Sequence, residues 1–349
     1  MSNQLDFLAL GDITTDAFIK LSEAWIETDN PEHAEELCMK FGEKIPYESV
    51  TVVRAVGNAP NAAVSAARLG LASGLLTNLG NDENGRECKE ALKGEGVDTT
   101  YATVHKSAQT NYHYVLSFGA ERTILVRHEA YRYKLPAIAP APKCLYLSSL
   151  GGNSENYHEE IANFLDAHPQ TELAFQPGTF QMKLGTEKLK KLYSRTGLFF
   201  CNKEEAQKIL ASSEIPLIKG GAHSDERGLL LFLLQGIHAL GPHIVCITDG
   251  PKGAYALDGS VAGQKEYWFQ PPYPDPKPPR NRTGAGDAFA ATFTAALILG
   301  KPVPVALMWA PINAAYVVQE IGAQKGLLTR EQLEKCLAIA PEHYRPRKI

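Results

Sequence analysis

Near its carboxyl-terminal end the chain reads Asn281-Arg282-Thr283-Gly284-Ala285-Gly286-Asp287-Ala288-Phe289, followed by a helical stretch over 290–299. The glycines leave the backbone N–H groups of Ala285, Gly286 and Asp287 unobstructed where that helix begins. Free N–H donors and the positive end of a helix dipole together make an anion site. An aspartate in the first turn is, on its own, an ordinary cap. Beside a phosphate cradle, the same carboxylate can take the proton of a hydroxyl attacking that phosphate. In that second reading the chemistry would be phosphoryl transfer, which needs positioning, charge neutralisation on the moving group and a base for the acceptor.

Competing chemistries lack their residues. No G-x-x-x-x-G-K-[ST] loop occurs, since Gly300-Lys301 is followed by Pro302, and Gly284-x-Gly286 lacks the third glycine of a dinucleotide fingerprint. Cys38, Cys88, Cys144, Cys201, Cys246 and Cys336 are dozens of residues apart with no C-x-x-C pair, so they read as reduced thiols. The 10 histidines form no H-x-H or H-E-x-x-H pair, which gives a zinc site no support. With 35 Lys+Arg against 39 Asp+Glu, the net charge of -4 carries no footprint for nucleic acid. The apolar runs fall short of the roughly 20 residues needed to span a bilayer. No basic n-region with a long apolar h-region opens the chain, so a cytoplasmic location is expected.

The elements that must position the loop follow a rhythm. The 349 residues, 44% hydrophobic, suffice for one large α/β domain or two smaller ones. Short apolar strands are predicted over 6–10, 75–79, 144–148, 173–175, 198–201 and 244–248. Helices are predicted over 61–69, 85–93, 157–168, 203–210 and 226–239. That alternation predicts a mostly parallel sheet covered by helices on both faces, with ligands at the carboxyl ends of its strands. Two stretches, 22–56 and 99–132, break the rhythm. Within them 51–56 and 110–115 read as antiparallel strands, which suggests a small sheet standing off the main domain as a lid. Residues 271–279, with six prolines in nine, read as a stiff connector near the site.

The run Thr283-Gly284-Ala285-Gly286-Asp287-Ala288-Phe289 resembles the hallmark of the ribokinase-like, or PfkB-type, carbohydrate kinases, and the resemblance extends over most of the chain. Gly11-Asp12-Ile13-Thr14-Thr15-Asp16 resembles the family's opening strand and turn. Gly57-Asn58-Ala59-Pro60-Asn61, with Arg68-Leu69-Gly70 after it, resembles its first signature. Gly80-Asn81-Asp82-Glu83-Asn84-Gly85 matches the turn that follows. Asn202-Lys203-Glu204-Glu205 matches N-x-x-E, Thr248-Asp249-Gly250-Pro251-Lys252-Gly253 resembles the nucleotide loop, and Gly322-Ala323-Gln324 resembles the carboxyl-terminal G-A element.

The resemblance implies a three-layer α/β/α domain over 1–349, with a central mostly parallel sheet and a β lid from insertions at about 22–56 and 99–132. It implies ATP-dependent phosphotransfer to a hydroxyl of a sugar or sugar-like molecule. Asp287 would be the base, and Gly284, Ala285 and Gly286 would hold the moving phosphate. Asp12, Asp16, Gly57, Asn58 and Asn61 would bind the acceptor. Asn202, Thr248, Gly250, Gly253 and Asn313 would bind the nucleotide, and Glu205 would reach Mg²⁺ through water. A homodimer formed through the lid is a further expectation.

Departures bear on acceptor and activation. The family commonly has Asp-Thr-Thr where this chain has Asn281-Arg282-Thr283, which weakens the case for a monovalent cation. Val56-Gly57-Asn58 replaces the Gly-Gly-Lys of ribokinases proper, and Gln176 stands where many members carry aspartate. A nucleoside acceptor is the main alternative, because Trp25, Phe41, Tyr47, Tyr112, Tyr114 and Phe118 could stack on a base. A sugar phosphate would draw on Arg54 or Arg122. The alternative of another class is a non-catalytic sugar- or nucleotide-sensing protein, whose mark would be a lost base at position 287.

Overall fold

The computed structural model describes residues 4–28, 35–119, 121–213, 225–280 and 282–349. Strands Ala102–His105, Ser73–Gly80, Phe7–Leu10, Cys144–Leu147, Glu172–Phe175, Thr196–Asn202 and Ile244–Thr248 lie side by side and parallel in a ten-stranded sheet, with Ala102–His105 at one edge. The inner strands, such as Phe7–Leu10, Cys144–Leu147 and Ile244–Thr248, are near-continuous apolar runs because both faces are covered. Phe7 and Ala9 face one core and Leu8 and Leu10 the other. Helices Asn58–Arg68, Ala285–Ile298, Val303–Val317 and Arg330–Ala338 cover one side. Helices Glu155–Ala167, Lys190–Arg195, Lys203–Ala211 and Glu226–Ala239 cover the other. The architecture is the three-layer α/β/α arrangement expected.

An antiparallel edge completes the sheet: Ala254–Asp258, Glu266–Gln270 and Arg347–Lys348. The chain leaves Phe7–Leu10 toward Ser73–Gly80 on one side and returns to Cys144–Leu147 on the other. The strand order therefore reverses beside Phe7–Leu10, and such a switch point leaves a crevice beyond the carboxyl ends of the strands. The Ala-rich helix Asn58–Arg68 packs on Ala285–Ile298 through small buried residues such as Ala62, Ala66, Ala291 and Ala295, which bring the two helix starts together over that crevice.

A second, four-stranded sheet, in the order Tyr47–Val56, Thr14–Leu21, Asn111–Phe118, Glu121–Leu125, stands beside the crevice. It begins before residue 22, because Thr14–Leu21 follows the first strand directly. Ala102–His105, expected within the second insertion, joins the large sheet instead. Asn111–Phe118 runs parallel to Thr14–Leu21, while Tyr47–Val56 and Glu121–Leu125 are antiparallel to their neighbours. Residues 271–279 form no strand or helix, and the six cysteines are free. Among the described residues no helix is long and apolar enough to cross a membrane.

Candidate active site

A cavity of about 880 Å³ opens at the carboxyl ends of the parallel strands, a size suited to small ligands. Its floor comes from residues at strand ends: Gln176 follows Glu172–Phe175, Asn202 ends Thr196–Asn202, and Thr248 ends Ile244–Thr248. The small sheet supplies one wall. Register pairs Asp16 with His113 across Thr14–Leu21 and Asn111–Phe118, so the pleat turns Asp16, Phe18 and His113 inward. Ala17 and Tyr114, paired one residue on, face outward. The Nδ1 of His113 lies 3.3 Å from the Asp16 carboxylate.

The loop before Ala285–Ile298 is built on Gly284. This residue is left-handed, with φ +83°, and a Cβ there would lie 2.4 Å from the Cβ of Ala323. Glycine alone meets both conditions. The first intrahelical bond is donated by the N–H of Ala288 to the Gly284 carbonyl. The N–H groups of Ala285, Gly286 and Asp287 precede it and lack helical acceptors. Gly284, Gly286 and Asp287 border the cavity, so the start of this helix opens onto it, an arrangement that fits a phosphate group.

Asp287 is buried at this helix start. Its Oδ1 accepts hydrogen bonds from Asn58 Nδ2 at 2.7 Å and Gln176 Nε2 at 3.2 Å, and its Oδ2 accepts one from Asn61 Nδ2 at 2.8 Å. Burial raises its pKa above the ordinary carboxylate value, and the three amide donors oppose that rise. Asn58 and Asn61 open their own helix after Gly57, which has φ +123° and whose Cβ would meet the Asp12 carbonyl at 2.8 Å.

On the opposite side, Asn202 and Glu205 form a reciprocal capping box. Glu205 N–H donates to Asn202 Oδ1 at 2.8 Å, and Asn202 N–H donates to Glu205 Oε2 at 2.9 Å. Burial raises the Glu205 pKa. Next to it, Lys203 Nζ lies 2.7 Å from Asp249 and 2.8 Å from Glu226, and Lys252 lies 2.6 Å from Glu226. The hydrogen bonds of the two ammonium groups pull the Glu226 carboxyl down to about 2. Arg282 and Arg122 border the same cavity.

Of the expected site residues, the cavity wall unites Asp16, Gly57, Asn58, Asn61, Asn202, Glu205, Thr248, Gly250, Gly284, Gly286 and Asp287. Four lie outside it. Asp12 is buried beneath the wall, where Tyr133 donates its hydroxyl to both carboxylate oxygens, at 3.0 and 2.8 Å. Asn313 is fully buried between helices, donating to Thr292 at 2.8 Å and Ser65 at 3.3 Å and accepting from the N–H of Leu328 at 2.9 Å. Gly253 (φ +109°) serves the antiparallel edge, since a Cβ there would meet the Gln270 carbonyl at 2.4 Å. The methyl group of Ala285 packs on the core, leaving only its backbone for the loop.

Asn281 lies outside the described residues. None of Trp25, Phe41, Tyr47, Tyr112, Tyr114 and Phe118 borders the cavity; Tyr112 and Tyr114 line a separate depression with Asp82 and Arg127. Arg54 is committed to Glu87 through two bonds, at 2.6 and 2.9 Å. Sequence reasoning passed over Phe18, His113, Lys203 and Asp249. The signal for Lys203 and Asp249 was their place directly after residues it did select.

The profile described as pfkB family carbohydrate kinase matches residues 26–330. The chain is similar to the ribokinase of Bacillus subtilis (strain 168), at 27% identity over 304 residues covering 86% of this chain and 92% of that protein. It is similar to a nucleoside kinase of Methanothermobacter thermautotrophicus, at 22% identity over 332 residues covering 94% of each. Among solved structures, Arabidopsis thaliana ribokinase complexed with ribose and ATP has a TM-score of 0.75 at 20% identity, covering 96% of this chain and 99% of that one. At that identity the likeness shows the fold.

Proposed function

The chain belongs to the pfkB family of carbohydrate kinases, phosphotransferases with an alcohol acceptor, and on that premise we propose that it carries the γ-phosphoryl group of ATP to a hydroxyl of a sugar or sugar-like molecule, with Asp287 as general base. One observation carries the reading: a buried carboxylate held only by neutral amides sits in the first turn of a helix whose start, at Gly284 and Gly286, borders the same cavity. The acceptor hydroxyl would donate to Asp287, which takes its proton as the new O–P bond forms. The amides of Ala285, Gly286 and Asp287 would hold the oxygens of the transferring group, where charge is spread over the phosphoryl oxygens.

Asp16, Asn58 and Asn61 are the acceptor-side polar groups in this reading, and Asn202, Thr248 and Gly250 the nucleotide-side ones. Among the described residues no cluster of three or more His, Cys, Asp or Glu could hold a metal by itself. In this reading a Mg²⁺ ion would be carried on the nucleotide phosphates, and Glu205, which borders the cavity, would reach it through water. When bound, such an ion would offset charge on the phosphates. The small sheet would act as a lid on a single kinase domain.

The aromatics that the sequence offered for base stacking lie off the cavity, but Phe18 of the small sheet borders it, so nucleosides belong in the acceptor panel beside sugars. The sensing alternative loses its expected mark, since a carboxylate occupies position 287. The acceptor panel should include sugar acids and sugar phosphates, because Arg122 is the arginine that the small sheet brings to the cavity.

ADP release measured across neutral sugars, acidic and phosphorylated sugars and nucleosides should single out one group. With that acceptor, Asp287→Asn should lose about 10²-fold or more in kcat while still binding ATP. Turnover near the wild-type value would refute the assignment of the base.

A further inference from the structure

The arrangement behind Asp287 rests on the base reading above and takes it further. We infer that Gln176, backed by Tyr146, is a positioning residue that acts with Asn58 and Asn61 to leave Asp287 one open acceptor position, on Oδ2. An ionised carboxylate offers about four acceptor positions on its two oxygens. Asn58 and Gln176 fill those of Oδ1, and Asn61 fills one of Oδ2. The substrate hydroxyl then has a single place to deliver its proton.

Two of the three amides, Gln176 and Asn61, are held against turning over to present their oxygens. Gln176 Oε1 accepts a hydrogen bond from the Tyr146 hydroxyl. Asn61 Oδ1 accepts from Gln324 Nε2 at 3.1 Å, and Gln324 in turn donates to the Ala55 carbonyl at 2.7 Å. Flipping Gln176 would set its carbonyl against the carboxylate and leave two donors unmatched. Its backbone is also fixed, since the Gln176 N–H donates to the Leu147 carbonyl at 2.9 Å. Tyr146 is fully buried in the adjacent strand, and burial keeps its phenol protonated far above neutral pH, so it remains a donor.

Neutral donors suit a base better than a cation would. A fixed ammonium or guanidinium group would hold the carboxyl well below its ordinary range and make it a poor proton acceptor. An acid at position 176 would instead place two carboxylates together and raise the pKa of the pair. The titratable groups that feel the charge of Asp287 are Tyr146 and Glu205. Asp16, His113, Lys203, Glu204 and Arg282 border the same cavity.

The test is the pH dependence of kcat/KM in Gln176→Glu, Gln176→Met and Tyr146→Phe, with Asp287→Asn in parallel and thermal unfolding to confirm folding. Gln176→Glu should move the acid limb upward by roughly one pH unit or more and recover activity at higher pH. Gln176→Met, which removes the donor without adding charge, should move it in the same direction by less. Tyr146→Phe should lower kcat about tenfold or less, because it releases only the backing bond. An acid limb unmoved in both folded Gln176 variants overturns the positioning role. If Asp287→Asn is inactive in that case, the base reading stands without it; if Asp287→Asn is active, the base reading itself fails.

Discussion

Replacing Gly284 by alanine tests whether the helix start is the phosphate cradle. The residue sits at φ +83°, a left-handed conformation that costs an L residue roughly 1–2 kcal/mol. The added methyl would lie 2.4 Å from the Cβ and 2.8 Å from the Cα of Ala323. Carbon atoms pack at about 3.5–4.0 Å, so an opening of about 1 Å is required. Neither Ala323 atom can swing aside, so the helix start or the 322–323 turn must move. Overpacking of this kind costs about 1–3 kcal/mol, for a total near 2–5 kcal/mol. A displacement of about 1 Å at a reacting centre can cost about 10²-fold in rate. Thermal unfolding and steady-state ADP release at saturating acceptor would show a lower Tm and a kcat reduced by about that factor. Gly300 is the control. It has a similar φ of +76° with open space around it, so Gly300→Ala carries the strain without the clash. Wild-type kcat in a folded Gly284→Ala variant, or an equal loss in Gly300→Ala, would refute the reasoning.

Burial pushes the Asp12 carboxyl up to about 6 from 3.8, against the bonds from Tyr133 and Gly151. A raised acid favours the folded state while it is protonated, so its contribution falls as pH rises from about 4 to about 6, by about 3 kcal/mol at most. Thermal unfolding between pH 4 and 7 should therefore show a decline that Asp12→Asn flattens, and identical slopes would reject the assignment. The outward face of the small sheet carries exposed Val50, Val52, Tyr114 and Leu125. If the enzyme pairs through this lid, light scattering should give twice the chain mass and Val52→Lys should give the monomer; a monomeric wild type would end that idea.

The central strands were legible because burial on both faces makes them apolar throughout, as in 144–147 and 244–248. Thr14–Leu21 was not, because Thr14, Thr15 and Asp16 read as a turn carrying chemistry. Its alternation makes sense only with a cavity on one side. The antiparallel edge hairpin was hidden for a related reason. Tyr267, Trp268 and Phe269 are consecutive aromatics, which give no period of two.

At the site, contiguous motifs survived translation into space, since a strand end and the next helix start stay together. Choices that depend on distant neighbours did not. Whether Asp12 or Asp16 meets the cavity is decided by where the strand Thr14–Leu21 begins and by Tyr133, which holds Asp12 from more than a hundred residues away. Asn313 faces inward because of a network closed by Ser65, Thr292 and Leu328. The contact of Gln176 with Asp287 exists only because two strands and a helix start converge.

That convergence bears on how a chain of net charge -4 can manage a polyanion. Lys203 and Lys252 cannot serve as free counter-charges, because Glu226 and Asp249 already hold them. What faces the proposed phosphate is a set of backbone N–H groups, and what faces the proposed base is a set of side-chain N–H groups. Both are fixed dipoles without net charge. A permanent salt bridge to either group would bind the ground state as tightly as the transition state and so would not speed the transfer. Fixed dipoles aimed at oxygens whose charge changes during the reaction need no reorganisation at that moment. On the proposed reading, the charge that offsets the reacting oxygens enters with the nucleotide's metal, while the helix start and the amides around Asp287 supply direction. The two arginines of the cavity wall, Arg122 on the small sheet and Arg282 beside the loop, then remain to tune which anion is held and at which end.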